Sequence, residues 1–107
     1  MRQGTTPKHT FTLPFSVPGN SVVRVIYAQN GEIVLVKTGS DVDVLVNEVS
    51  TTLTQEETLS FDSNAQNTEI QIRILMPDGS AVASDIIRVS VKKCLEDKVI
   101  AYEEGAV

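Results

Sequence analysis

Residues 21–38 read SVVRVIYAQNGEIVLVKT, and how this stretch pairs decides the fold. Two β-branched runs flank Asn30-Gly31, a strong short hairpin signal because both central residues of a type I′ turn need positive φ. A two-residue turn there sets the register. Gln29 faces Glu32, Tyr27 faces Val34, Val25 faces Val36 and Val23 faces Thr38. On the opposite face Ala28 meets Ile33, Ile26 meets Leu35 and Arg24 meets Lys37. The first face is uncharged from Val23 to Tyr27 and is the core candidate. The second is also apolar near the turn and charged only at its far end. A hairpin apolar on both faces has to be covered twice. In a chain of 107 residues the second cover is a natural task for another subunit.

The pattern continues on both sides of the hairpin. Residues 1–8 are polar, carry Gly4 and Pro7, and read as an arm. Residues 9–15 alternate, with Phe11 and Leu13 (and Phe15 beyond Pro14) against Thr10 and Thr12. That is a half-buried strand, kept to a sheet edge by Pro14, which has no N–H to donate. Residues 18–20 are a turn. After Gly39-Ser40, Val42, Val44 and Val46 alternate with Asp41, Asp43 and Asn47, and a turn at Asn47-Glu48 leads into residues 49–54. Thr54 with Glu57 has capping-box spacing for one helical turn, after which Leu59 and Phe61 resume a strand-like alternation. Residues 68–76 are the cleanest period-2 strand, with Ile70, Ile72, Ile74 and Met76 on one face. Pro77-Asp78-Gly79-Ser80 supplies the next turn. Residues 81–93 return as a long strand with a kink near Ser84-Asp85, Ile87, Val89 and Val91 facing in. The acidic residues 96–107 suit a short helix or a last edge strand.

Seven or eight short strands with turns every 8 to 12 residues predict an all-β fold, an antiparallel immunoglobulin-like β-sandwich. A jelly roll or small barrel is the alternative. The domain spans residues 9–95, with the arm at 1–8 and the acidic tail at 96–107.

Composition excludes more than it identifies. A net charge of −5 argues against nucleic acid and anionic membranes, whose binding comes from Lys and Arg. No apolar run approaches the roughly 20 residues that span a bilayer. Residues 1–8 lack the apolar stretch of a secretory signal, so the expectation is synthesis in a reducing cytoplasm. Cys94 is alone, which rules out an intramolecular disulfide or a Cys-based zinc site and makes it a small buried hydrophobe. His9, the one histidine, reads as a surface residue of an edge strand, and no Gly-x-Ser-x-Gly elbow is present. Asp41 and Asp43 share a strand face near Glu48, but the stretch fails the EF-hand pattern and reads as a solvated edge. Glu56-Glu57 reads as part of the capping box, and Lys92-Lys93 is too short for a nucleic-acid patch. With two Tyr and no Trp, the aromatic platforms of a glycan reader are scarce. No catalytic, cofactor or metal residue is expected, and no small-molecule substrate.

Several stretches are similar to small proteins encoded in prophages of Gram-positive gut bacteria. They are Arg2-Gln3-Gly4-Thr5-Thr6-Pro7, then His9-Thr10-Phe11-Thr12-Leu13-Pro14-Phe15, and Leu53-Thr54-Gln55-Glu56-Glu57-Thr58-Leu59-Ser60-Phe61. Ile70-Gln71-Ile72-Arg73-Ile74, Asp78-Gly79 and Ala83-Ser84-Asp85-Ile86-Ile87 continue the resemblance, which extends to about Leu95. It implies a non-enzymatic phage structural component, in the host cytoplasm during assembly and then in the virion, without choosing among head, neck, tail and baseplate. The residues themselves point to self-association. The interface candidates are Ala28, Ile26, Ile33 and Leu35 on the outer hairpin face, and Gln3, Thr5, Pro7 and Lys8 in the arm. Such an arm can add a strand to a neighbour's edge. The expected partners are further copies and other virion proteins. The alternative is a module that binds a host-surface glycan or protein.

Overall fold

Asn30 and Gly31 both take positive φ, 50° and 84°, as a type I′ turn requires. They join β2 (Val22–Gln29) to β3 (Glu32–Thr38) in the computed structural model, which describes residues 1–102. The predicted register holds for Gln29↔Glu32 and Ala28↔Ile33 and then breaks at a β-bulge. Val34 is the extra residue, so Tyr27 pairs with Leu35, Ile26 with Val36, Val25 with Lys37 and Arg24 with Thr38. A one-residue slip exchanges the faces of a strand. Leu35 and Lys37 therefore turn to the core side, and Val36 turns outward.

The other elements are β1 (Lys8–Thr12), a 3₁₀ turn (Gly39–Asp41), β4 (Asp43–Leu45), β5 (Glu48–Thr52), α1 (Gln55–Leu59), β6 (Thr68–Leu75), β7 (Ala81–Ala83) and β8 (Ile87–Val89). They form two antiparallel sheets, one ordered β1-β5-β4 and the other β3-β2-β6-β7, with β8 also on β6. Taking β1 as strand B and continuing in chain order, these are the B-E-D and C′-C-F-G sheets of an immunoglobulin-like sandwich. The fold is thus the expected all-β, immunoglobulin-like sandwich. No described strand occupies the A position beside β1.

The core lies between the sheets. Val23, Val25 and Tyr27 from β2 meet Ile70, Ile72 and Ile74 from β6, with Val49 from β5 and Leu13, Leu53 and Phe61 closing it. Each side chain faces inward because every second residue of a strand shares a face. Tyr27, on the strand where antibody domains bury a Trp, is fully buried. Its hydroxyl lies 2.7 Å from His9 Nδ1 on the opposite sheet, and its ring meets Phe61 edge-on at 5.7 Å. His9 is therefore a half-buried cross-sheet contact, not a surface residue.

Several expectations change. Residues 58–61 are not a strand, because the capping box nucleates a helix that runs to Leu59 and leaves Phe61 in the following turn, buried. Both arms of the box are made, Glu57 N–H to Thr54 Oγ1 at 3.1 Å and Thr54 N–H to Glu57 Oε1 at 2.8 Å. Glu57 also accepts from Lys37 Nζ at 2.9 and 3.0 Å, which gives the inward lysine its counter-charge. Burial pushes the Glu57 carboxyl up, but the bonds from Lys37 and Thr54 outweigh it and hold the group below its usual range. The 41–47 alternation is interrupted, since Asp41 sits in the 3₁₀ turn and not on a strand face with Asp43. The hairpin turn there is Val46-Asn47, one residue earlier than expected, with Val46 at φ 57°. The long strand over 81–93 breaks at Ser84, whose N–H and Oγ bond the backbone of Ile72, and it splits into β7 and β8. Residues 94–102 form neither a helix nor a strand, and residues 103–107 of the predicted tail lie outside the described residues.

Candidate interaction surface

Pairing β2 with β6 places four rows of side chains on the outer face of the larger sheet. They run Val22–Leu75–Ala81, then Thr38–Arg24–Arg73–Ala83, then Val36–Ile26–Gln71, then Ile33–Ala28–Glu69–Arg88. Three of the predicted interface residues, Ile26, Ala28 and Ile33, stand together here. Ile33 is 66% exposed with Val36 exposed in the next row, and Val22 and Leu75 are exposed at the far end of the face, beyond the Arg24–Arg73 row. Leu35 does not belong to this face. It lies opposite Tyr27 and packs against the core, because the bulge at Val34 turned it inward. The other sheet covers only the inner side of β2 and β6, so this apolar face is left open by the described residues. Exposed apolar rows gathered on one face mark an interaction site more often than scattered exposed residues do.

Electrostatics sharpen the picture. Arg24 and Arg73 are direct cross-strand partners, and neither makes an ion pair among the described residues. Like charges directly opposite each other weaken a sheet. With Val22, Leu75 and Ala81 they line an open depression of about 210 Å³. One row past Ile26, Glu69 holds Arg88 at 3.5 Å. The sequence places Arg24 on this face as it does Ile26 and Ala28, but Val22, Val36, Glu69, Arg73 and Leu75 were not expected there. The alternation of 68–76 separates Glu69, Gln71, Arg73 and Leu75 from the core isoleucines, but nothing local shows that β2 is their neighbour.

The arm is placed differently from the expectation. Gln3 N–H bonds Lys92 O and Lys92 N–H bonds Met1 O, around a parallel bridge of Arg2 with Lys92. The Gln3 side chain donates to Phe61 O at 2.6 Å and accepts from Cys94 N–H at 3.1 Å. Thr5 O accepts from Thr58 Oγ1, Pro7 O accepts from Leu53 N–H, and Lys8 opens β1 opposite Thr52. The segment lies along its own domain with its backbone groups engaged, so it does not reach out as a donor strand. Cys94 is half-buried beside it, where its Sγ would lie 3.4 Å from a Cβ at Gly4.

Beside β1 runs a second apolar feature, a groove of about 390 Å³ whose lining includes Leu13, Phe15, Val82 and Ile87. Since Leu13 N–H bonds Asn47 O and Leu53 N–H bonds Pro7 O, the odd-numbered residues of β1 face β5. The backbone groups of Thr10 and Thr12 therefore point to the free edge. The described residues contain no cluster of three His, Cys, Asp or Glu side chains, and no described helix is long and apolar enough to cross a membrane.

The strand order and the open sheet face define a class, an immunoglobulin-like sandwich whose larger sheet keeps a partly apolar outer surface. No protein-family model matches the chain, and no curated protein matches it. Among solved structures it is similar to the V domain of amphioxus IgVJ-C2, with 14% identity and a TM-score of 0.34 over 86% of this chain and 95% of that one.

Proposed function

We propose that this chain is a non-enzymatic structural protein of a phage or prophage virion, acting by self-association and edge contacts within a symmetric particle. The observation that carries the associating role is the outer face of β3-β2-β6-β7, with Ile33 66% exposed and Arg24 opposite Arg73 without a carboxylate partner among the described residues. Such a face is an incomplete surface, because its apolar rows gain from being covered and its like-charged pair is relieved when a second protein brings a carboxylate to it. The free edge of β1 offers a further contact of the strand-addition kind. What supports the virion setting is the resemblance of the 2–15, 53–61, 70–74 and 83–87 stretches to prophage-encoded proteins. The glycan-reading alternative loses Tyr27, which is buried.

Mass spectrometry of purified particles released from an induced lysogen carrying the gene tests this. The expected result is this chain at a copy number matching a symmetric ring or shell. Its absence from particles that contain their other structural proteins contradicts the proposal.

A further inference from the structure

We infer that this chain associates head to tail, with the β4–β5 hairpin tip of one copy seated in the Arg24–Leu75 depression of the next. This rests on the self-associating role proposed above and adds the two surfaces that meet.

The tip stands out from the smaller sheet. Val49 and Thr51 of β5 are buried between the sheets, so Glu48 and Ser50 face outward, and with them their cross-strand partners Leu45 and Asp43. Leu45 is 71% exposed, and Val46 in the turn is 64% exposed. Val46 holds φ 57° at the first turn position, where glycine is usual. Bonds of 2.8 Å from Val17 N–H to Val46 O and from Leu13 N–H to Asn47 O pin the turn in place. Asp43, two residues before Leu45, and Glu48, directly across from it, set two carboxylates beside this apolar tip. Neither is ion-paired among the described residues.

The depression is its counterpart. Val22, Leu75 and Ala81 form one row and Arg24 with Arg73 the next, around about 210 Å³. Glu69, farther along this face, is taken by Arg88, so it leaves Arg24 and Arg73 unneutralised. The step from Leu45 to Asp43 equals that from Leu75 to Arg73, two residues or about 7 Å. Leu45 placed over the Leu75 row therefore brings Asp43 over the two arginines. Turned end for end, the tip carries Asp43 toward the 77–80 turn and its Asp78 instead. Charge selects the first arrangement. Ser50 and Thr10, outward in the same row as Asp43, extend the contact along the face toward Ile26 and Val36.

Tip and depression lie on opposite outer faces of the sandwich, so they cannot meet within one chain. A contact between two different surfaces does not close at two copies. It continues until a ring forms, or without end if the rotation does not close.

Sedimentation velocity of the full chain over a concentration series tests this, with wild type, Leu45→Ser, Leu75→Glu and an equimolar mixture of the two variants. Leu45→Ser removes the entering side chain, and Leu75→Glu sets a carboxylate in the depression against those of the tip. The expected wild type grows past a dimer as concentration rises, and each variant alone associates at least tenfold more weakly. The mixture forms a one-to-one dimer and stops, because one intact tip meets one intact depression. A wild type that stops at a dimer, variants that associate as wild type does, or a mixture no better than either variant overturns this contact while self-association stands. A wild-type chain that stays monomeric throughout overturns both. Circular dichroism of each variant shows that it is folded.

Discussion

The inward turn of Lys37 leads to a prediction of unequal costs. Its side chain is 7% exposed and its ammonium bonds both oxygens of Glu57, whose side chain is 22% exposed and also caps α1. Glu57→Gln keeps an oxygen for Thr54 N–H, since Gln serves in a capping box as Glu does, but it leaves the lysine without its counter-charge. Breaking a buried pair from one side costs about 3–5 kcal/mol. Because water reaches the Glu57 end, about 2–3 kcal/mol is expected here, or about 10 °C in Tm for a domain of this size. Lys37→Met fills the same inward position with apolar volume and leaves a carboxylate that water can solvate, so it costs about 1 kcal/mol or less. The double variant should then recover most of the Glu57→Gln loss, a coupling of about 2 kcal/mol. Urea unfolding at neutral pH measures all four proteins. A Lys37→Met loss as large as that of Glu57→Gln, or a double variant equal to the sum of the singles, refutes the argument and with it the bulged register that brings Lys37 inside.

Acid should weaken the domain in two stages. Burial, with the N-terminal ammonium adding to it, holds His9 below its ordinary 6.5, so its stabilising effect is complete above that pH and is lost as pH falls through the lower folded value. Glu57, held below 4.5, adds a second loss as pH falls further. His9→Gln should flatten the first stage in urea midpoints taken between neutral pH and pH 5, and an unchanged slope contradicts this. Val46→Asn should raise stability by about 1 kcal/mol, because Val46 is β-branched at φ 57° and Asn tolerates that region; a lower thermal midpoint counts against it. Gly31→Ala should cost about 1 kcal/mol at its φ of 84°, measured the same way. Ile33→Glu should leave the folded monomer's stability within about 0.5 kcal/mol while weakening self-association, since the side chain is 66% exposed; unfolding of this variant would show that Ile33 supports the fold instead.

Where local chemistry was decisive, the sequence could be read directly. Asn30-Gly31 set the first two pairs of the hairpin, Thr54 with Glu57 built its capping box, and the isoleucines of β6 went to the core as their alternation demanded. Where distant residues decide, the reading failed for a physical reason. The bulge at Val34 is settled by a lysine that finds its carboxylate on α1 and by the β2–β6 register, neither visible within residues 21–38. Leu59 and Phe61 alternate like a strand, yet the capping box ahead of them had already started a helix. The arm looked free because it is polar and carries Gly and Pro. Its partners at Ser90, Lys92 and Cys94 lie near the opposite end of the described chain. The interface face was half legible, with Ile26, Ala28 and Ile33 evident from the hairpin. Its charged members on β6, Glu69 and Arg73, became visible only when β6 was placed beside β2.

Self-association through the outer sheet face can be followed by NMR, in the amide chemical shifts of the protein diluted from millimolar to micromolar concentration. The expected changes lie in β2, the outward residues of β3 and the 69–75 stretch of β6, and in residues 43–48 that dock on them. Spectra independent of concentration, or changes confined to β1 or to residues 44–46, contradict self-association through this face.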